Sequence, residues 1–401
     1  MKKIVIFSAV FPPEPVVSAK ISYNLAEELS KSSIVTVVCP SSSRPFGFKF
    51  TKKAEEFHFK VNVVDSYTCP ESNLCGRLRE SISFGQKCKA FIINNHNEID
   101  VIYMNVWPLF AQSYILHTAK KFNITVITHV QDIYPESHTN KLPSPLKQLF
   151  HWLLLPIDKF VLKNSDSIVA ISEQMKEYIM ETRHLHSSKI SVITNWQDET
   201  DFISFHRLSK STKNTTIRTY MYLGNIGPVA GVEFLIESFA EANLSKAKLV
   251  VAGSGSMKDY CQSLSLKYVD LNIEFIDVPN GKVPEIQDQA DVMLLPLKKG
   301  AAMSSIPSKL PAYMFSKKPV IGCVDADSNT ANSIIRSSCG WVVEPENKKQ
   351  LIDLFKLINE ENQKLIAAKG ENGFNYAMEK FSKKINLQKL ASLIERNIKP
   401  D

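Results

Sequence analysis

Two stretches of this chain gather side chains that could do chemistry. The first, residues 128–137, reads Thr-His-Val-Gln-Asp-Ile-Tyr-Pro-Glu-Ser and sets an imidazole, an amide, two carboxylates and a phenol just past a strand-like run. Asp132 there could bind a hydroxyl or take its proton, with Gln131 beside it and Glu136 further along. An aspartate is also a common turn or helix cap, so the position alone leaves both roles open. The second stretch, LPLKKGAAMSSIPSKLPAYMFSKKPVIGC at residues 295–323, reads as a strand, a small polar loop containing Ser304 and Ser305, and a helix starting at Pro307-Ser308. Lys309 then falls in the first helical turn, where a cation opposes the helix dipole at a cost of about 0.3–1 kcal/mol. A solvated lysine without a partner would fit, but an anion held by both the ammonium and the helix N-terminus gives the placement a reason.

Three shorter loops also follow strand-like runs: Gly224-Asn225-Ile226-Gly227-Pro228, Gly253-Ser254-Gly255 and Asp277-Val278-Pro279. Glycines at such places let a backbone approach a phosphate, although any one of them reads equally well as a tight turn. Earlier, Phe11–Ala19 (FPPEPVVSA) is a stiff three-proline loop carrying Glu14, Val16 and Val17, with Ser18 as the expected N-cap of the helix behind it. Asp325 and Asp327 superficially resemble a metal pair, but two acids in a loop are common and no metal is expected.

Loops of this kind need strands to hold them, and the apolar pattern supplies two sets. Val- and Ile-rich runs at Ile4–Phe7, Ile34–Cys39, Val61–Val64, Val101–Met104, Thr125–His129, Ser167–Ile171 and Ile190–Ile193 alternate with helical periods at Ile21/Leu25/Leu29, Phe110–Lys121 and Pro145–Lys163. The polar segment Asp198–Arg218, with Ser209–Thr215 at its heart, has neither period and reads as a linker. Alternation then restarts with strands at Tyr220–Leu223, Lys248–Ala252, Ile273–Ile276, Val292–Leu295, Val320–Val324 and Trp341–Val343. The expected class is α/β with two doubly wound parallel sheets. The expected division is 1–197, a linker at 198–218, 219–380, and a last helix in 381–401 packing back on the first domain.

Composition agrees and excludes other classes. The 401 residues leave room for two cores, and 44% apolar with 22% charged residues is ordinary globular usage. Lys+Arg 48 against Asp+Glu 41 leaves +7, compatible with anionic ligands or a membrane face and short of a nucleic-acid-binding signature. The seven cysteines show no C-x-x-C spacing, so neither zinc nor disulfides are expected and a reducing cytoplasm fits. The apolar run after Met1-Lys2-Lys3 is short and stops at Pro12-Pro13, which argues for a first strand over a secretory signal. No run approaches 18 apolar residues, so a spanning helix is not expected. Leu149–Ile157 (LFHWLLLPI), flanked by Lys141, Lys147, Lys159 and Lys163, fits a helix resting on a membrane surface or one buried in a core.

Taken together, FPPEPVVSA, DIYPES, SDSIVAIS, VITNW, YLGNIGPVAGVE, VVAGSG, ADVMLLPL and PSKLPAYMFSKKPVI resemble family 4 retaining glycosyltransferases across essentially the whole chain. The subgroup resembled builds bacterial O-antigen, capsule and other surface polysaccharides. The resemblance implies the GT-B fold, two Rossmann-like domains facing each other across a cleft. It implies a nucleotide-sugar donor, a UDP-sugar foremost, and transfer of a hexosyl or N-acetylaminosugar unit with net retention. The acceptor is a saccharide, lipid-diphosphate-linked in the fullest form of the expectation. No cofactor and no nucleic acid are expected, and the expected location is cytoplasmic, with peripheral contact at the inner membrane face.

Several family positions differ. The usual glycine pair of the first loop aligns with Val16-Val17, the usual Arg and Lys of the phosphate loop with Asn225 and Ala230, and two usual glutamates with Ser304 and Ala312. The expectation is that Lys309, the helix start at Ser305–Ser308 and amides near Gly227 hold the diphosphate instead, with Lys298 or Lys299 assisting. The base would sit near Asp277–Pro279, Gly253 and Gly255 count among the donor-binding residues, Gln131 and Asp132 orient the acceptor, and Glu14, Val16, Val17, Ser18 and Glu136 lie on the acceptor side. Two other readings stay open: a sugar-nucleotide 2-epimerase of the same fold, and a catalytically silent partner subunit.

Overall fold

A computed structural model describes residues 1–44, 57–71, 73–105, 109–139, 142–208, 217–268, 270–302 and 306–398. Ser304, Ser305, Lys141 and the run Ser209–Thr215 lie outside the described residues. The chain divides into two compact units: Met1–Asn195 with Ile385–Asp401, and Trp196–Lys384.

Unit 1 holds a seven-stranded, all-parallel sheet: β1 (Lys3–Ser8), β2 (Ile34–Pro40), β3 (Lys60–Val64), β4 (Val101–Asn105), β5 (Thr125–Val130), β6 (Ser167–Ala170) and β7 (Ile190–Val192). The order is β3-β2-β1-β4-β5-β6-β7, with partners such as Ile4 with Val35 and Val101 on either side. Every residue of β4, β5 and β6 is buried, as expected of parallel strands covered on both faces. Val5, Phe7, Ile102 and Met104 pack with Phe84, Cys88 and Ile92 of the helix Leu74–Asn95 and Ile115 of the helix Phe110–Lys121.

Unit 2 repeats the plan with β8 (Arg218–Leu223), β9 (Ala247–Ala252), β10 (Ile273–Ile276), β11 (Val292–Pro296), β12 (Val320–Cys323) and β13 (Gly340–Val343). Its order is β10-β9-β8-β11-β12-β13, again parallel throughout. One core joins Tyr220, Tyr222 and Val251 to Leu235 and Phe239, and the other face packs Met293 and Leu295 against Tyr313, Met314 and Phe315. The expected pair of doubly wound parallel sheets is therefore present.

Two local expectations need correction. Ser18 is not the N-cap: the helix Val17–Ser30 starts two residues earlier than that cap implies, from Val16, which makes no side-chain cap bond. Backbone bonds set that entry, since Val16 N–H donates to Glu14 O and Lys20 N–H to Val16 O. The expected linker is also partly helical. Residues Thr200–Leu208 form a helix whose Phe202 is buried beside Phe315, ring centroids 5.9 Å apart, and His206 Nε2 meets Phe315 O at 2.8 Å. A nine-residue helix with one buried apolar side chain leaves too little periodicity to read. Among the described residues no helix is long and apolar enough to cross a membrane.

Candidate functional site

In open parallel sheets ligands bind beyond the strand carboxyl ends, where the strand order reverses. That point lies between β8 and β11 in unit 2 and between β1 and β4 in unit 1. Each has a built structure around it.

In unit 2 the glycine loops are laced together. Gly224 N–H donates to Ala252 O, Ile226 N–H to Ser254 O and Met257 N–H to Ile226 O. Gly253, at φ +131°, lies so close to Gly224 O that a Cβ would collide with it, and a Cβ on Gly255 would strike Ile226 O. Two fully buried tyrosines then fix the β8 loop from beneath. Tyr222 donates its hydroxyl to Asn225 O at 2.5 Å. Tyr313 donates to Leu223 O at 2.7 Å and accepts from Leu223 N–H at 3.1 Å. Two buried hydroxyls thereby hold the backbone from Leu223 to Asn225.

Lys309 opens the helix Lys309–Phe315, and Ser308 precedes it without a side-chain cap bond. The lysine stem lies over Gly224 and its ammonium stands 5.5 Å from the Tyr222 ring centroid. Burial lowers its pKa below the usual 10.5, and no carboxylate acts against that shift. It is a partly desolvated cation on the loop, without an ion pair among the described residues. The other expected cations differ: Lys298 is paired with Glu233 at 3.3 Å, and Lys299 is exposed. Their loop is tied by Lys298 N–H to Val229 O and by Gly300 N–H to the Asp325 carboxylate, 3.0 Å from each oxygen. Val278 is half-buried against the core beneath β10, whereas Pro279 is exposed and accepts from Lys282 N–H. The structure thus gathers Gly224, Asn225, Gly227, Gly253, Gly255, Ser308 and Lys309 beyond β8 and β9, with Val278 and Pro279 after the neighbouring edge strand.

In unit 1 a small pocket of about 50 Å³ opens beyond β1, β4 and β5, lined by Ala9, Ser18, Asn105, Gln112, His129, Gln131, Asp132 and Asp158 among others. Two of its lining residues, His129 and Gln131, belong to a hydrogen-bonded row. The Tyr103 hydroxyl meets His129 Nδ1, Gln131 Nε2 meets His129 Nε2 at 2.9 Å, and Asn195 Nδ2 donates to Gln131 Oε1 at 2.8 Å. His129 is 2% exposed, and burial drives its pKa down to about 3, so the imidazole is neutral at physiological pH. Gln131 is held at both ends of its amide, and Asp132 beside it is exposed.

The two glutamates expected on the acceptor side bond within the protein. Glu14 is 5% exposed and accepts from Ser43 N–H and Arg44 N–H, both at 2.8 Å, and from Phe11 N–H at 3.2 Å. It staples the proline loop to the segment after β2. Glu136 gives both oxygens to Arg183, each at 2.7 Å, and also accepts from the Tyr178 hydroxyl at 2.9 Å. Val16 and Val17 remain at the helix entry, Val17 exposed. Sequence reasoning missed Asn105, Gln112 and Asp158 as pocket residues and assigned His129 no role. The available signal was Asp158, the one acid inside the apolar stretch Leu149–Val161.

A family model described as Glycosyltransferase Family 4 matches residues 19–200, and one described as Glycosyl transferases group 1 matches residues 206–376. The chain is 22% identical over 292 residues to a probable glycosyltransferase, WbjE, of Pseudomonas aeruginosa, covering 70% of each chain. Its fold is similar to Alr3699/HepE of Anabaena, solved in complex with UDP: TM-score 0.67, 16% identity, 99% of this chain and 100% of that one. It is also similar to the lipopolysaccharide outer core galactosyltransferase WaaB: TM-score 0.63, 15% identity, 99% of each chain.

Proposed function

Because the chain belongs to the glycosyltransferases that join a family 4 half to a group 1 half, we propose that it transfers a sugar from a nucleoside-diphosphate sugar to a saccharide acceptor. The observation that carries this reading is Lys309, a partly buried ammonium without a counter-ion among the described residues, set over Gly224 at the switch point of unit 2. A diphosphate there would gain the cation and the fixed loop amides near Gly227, in a place where water screens them little. UDP-sugars are the first donors to try, since the Anabaena protein of similar fold was solved with UDP.

In this reading the anomeric carbon loses its bond to the diphosphate and gains one to the acceptor oxygen on the same face, so configuration is retained. A donor phosphate oxygen takes the hydroxyl proton. The protein contributes positioning and charge: Lys309 and the loop amides hold the departing diphosphate, while Gln131 and Asp132 orient a hydroxyl in unit 1. Neither a metal nor another cofactor is called for.

The acceptor we infer is a lipid-linked saccharide of surface-polysaccharide synthesis, reached from the cytoplasmic face of the membrane. The helix Ser144–Asn164 supports this, exposing Leu146, Leu149, Trp152, Leu153 and Phe160 beside Lys147, Lys159 and Lys163, with its sole acid, Asp158, buried. The test is incubation with a panel of nucleotide sugars and membrane lipid extract, scoring nucleotide release and the anomeric configuration of the product by NMR. Release from one nucleotide class with retained configuration supports the reading. Binding without transfer to any acceptor favours a silent subunit, and an altered sugar nucleotide favours an epimerase.

A further inference from the structure

The most unusual side chain of unit 1 is Arg183, the last residue of the helix Glu173–Arg183, only 1% exposed. All five of its N–H groups are engaged. Nε donates to Asp158 Oδ2 at 2.8 Å; Nη1 donates to Glu136 Oε1 at 2.7 Å and Thr182 Oγ1 at 2.8 Å; Nη2 donates to Glu136 Oε2 and to the Tyr134 carbonyl. A buried ion pair of this kind adds little net stability over an apolar replacement, because desolvation offsets the attraction. What a planar, fully used guanidinium does provide is geometry.

We propose that Arg183 is a positioning residue: it sets the turn carrying Gln131 and Asp132, and the carboxylate of Asp158, in one arrangement. This rests on the reading that the unit 1 pocket receives the acceptor. The turn is pinned at its entrance by Asn195 on Gln131, and at its exit by Arg183 on Tyr134 O and Glu136. Asp158 lines the pocket directly, so one guanidinium governs both the wall and the turn.

The charges around Asp158 fit this division. The titratable groups that pair with it or line the pocket with it are Arg183, Glu136, His129, Asp132 and Tyr134, with Tyr178 on Glu136. Burial pushes Asp158 up to about 6 against the pull of Arg183. Burial would likewise raise Glu136, but the Arg183 bonds hold it below its usual value. Removing the guanidinium therefore moves Asp158 further up.

The experiment compares Arg183→Met, which loses charge and fork, with Arg183→Lys, which keeps the charge alone. Asp158 is followed by carboxyl-carbon NMR titration, amide exchange is read over residues 131–137, and UDP affinity and acceptor kinetics are measured on the whole protein. In Arg183→Met the Asp158 midpoint is expected to rise by about one pH unit or more. In Arg183→Lys the acceptor KM is expected to rise about tenfold, with UDP affinity within about twofold of wild type. A purely structural arginine would instead lower acceptor and UDP binding together with the melting temperature, and that result overturns the proposal. So does an Asp158 midpoint and loop exchange equal to wild type. If Arg183→Met does not fold, Arg183→Lys decides by its exchange and its KM-to-affinity split. Failure of the transferase reading shows separately, as absence of transfer by the wild-type protein, and leaves the titration and exchange able to decide the role of Arg183.

Discussion

The Cε of Lys309 lies where a Cβ on Gly224 would have to stand. A strand-end glycine and a lysine 85 positions later thus share one volume, and the loop can carry no side chain there unless the ammonium moves. Gly224 also sits at φ +157°, at the edge of the range that L-residues avoid. Gly224→Ala is accordingly expected to weaken UDP binding by about tenfold, near 1.4 kcal/mol. Calorimetry showing unchanged affinity would separate the glycine from the lysine.

A pH dependence follows from the lowered pKa of Lys309. Between that lowered value and 10.5 the unfolded chain binds more protons at this site than the folded one, so the ligand-free fold gains stability as pH rises. A bound diphosphate favours the ammonium and reverses the preference. UDP affinity should therefore fall as pH climbs through the Lys309 value, with proton uptake on binding in that window. A flat profile from about pH 7 to 10, or the same fall in Lys309→Ala, contradicts this.

Tyr222→Phe removes the hydroxyl that fixes the Asn225 carbonyl and leaves the ring beside Lys309 in place. The expected cost is about 1 kcal/mol in unfolding free energy, the net value of a buried hydrogen bond. A loosened loop should weaken UDP binding about threefold beyond that. Equal affinity despite lower stability would show that Tyr222 serves the core alone.

Trp152 is 72% exposed on the helix Ser144–Asn164, and Leu149 is 51% exposed. Trp152→Glu should leave the melting temperature nearly unchanged, as surface substitutions do, within about 0.5 kcal/mol. Sedimentation with anionic vesicles at low salt should drop sharply. Persistent sedimentation would move the membrane contact elsewhere on the molecule.

Much of this architecture was readable because its strands are buried on both faces. Runs such as Val101–Met104 and Val292–Leu295 are continuous apolar stretches with no competing helical period. The helix Leu74–Asn95 was harder to see: its buried face mixes Phe84, Cys88 and Ile92 with Glu80 and Ser81, so polarity masks the period. At the unit 2 site the glycines and Lys309 could be picked out, since strand-end glycines and a first-turn lysine are local signals. The roles of Glu14 and Glu136 could not, because a carboxylate's partner decides whether it meets a ligand or a guanidinium. Arg183 lies 47 positions from Glu136 and 25 from Asp158, and no local pattern joins them.

The central claim is that Lys309 marks a nucleoside-diphosphate site. Its most direct test is calorimetric titration of UDP, GDP, ADP, CMP and dTDP into the wild-type protein and into Lys309→Ala. The account predicts that one nucleoside diphosphate, UDP first among them, binds selectively and that Lys309→Ala loses at least about tenfold in affinity, in line with a charge-assisted contact of 1.5–3 kcal/mol. Binding of equal strength in the variant, or no binding of any diphosphate to the wild type, would contradict it.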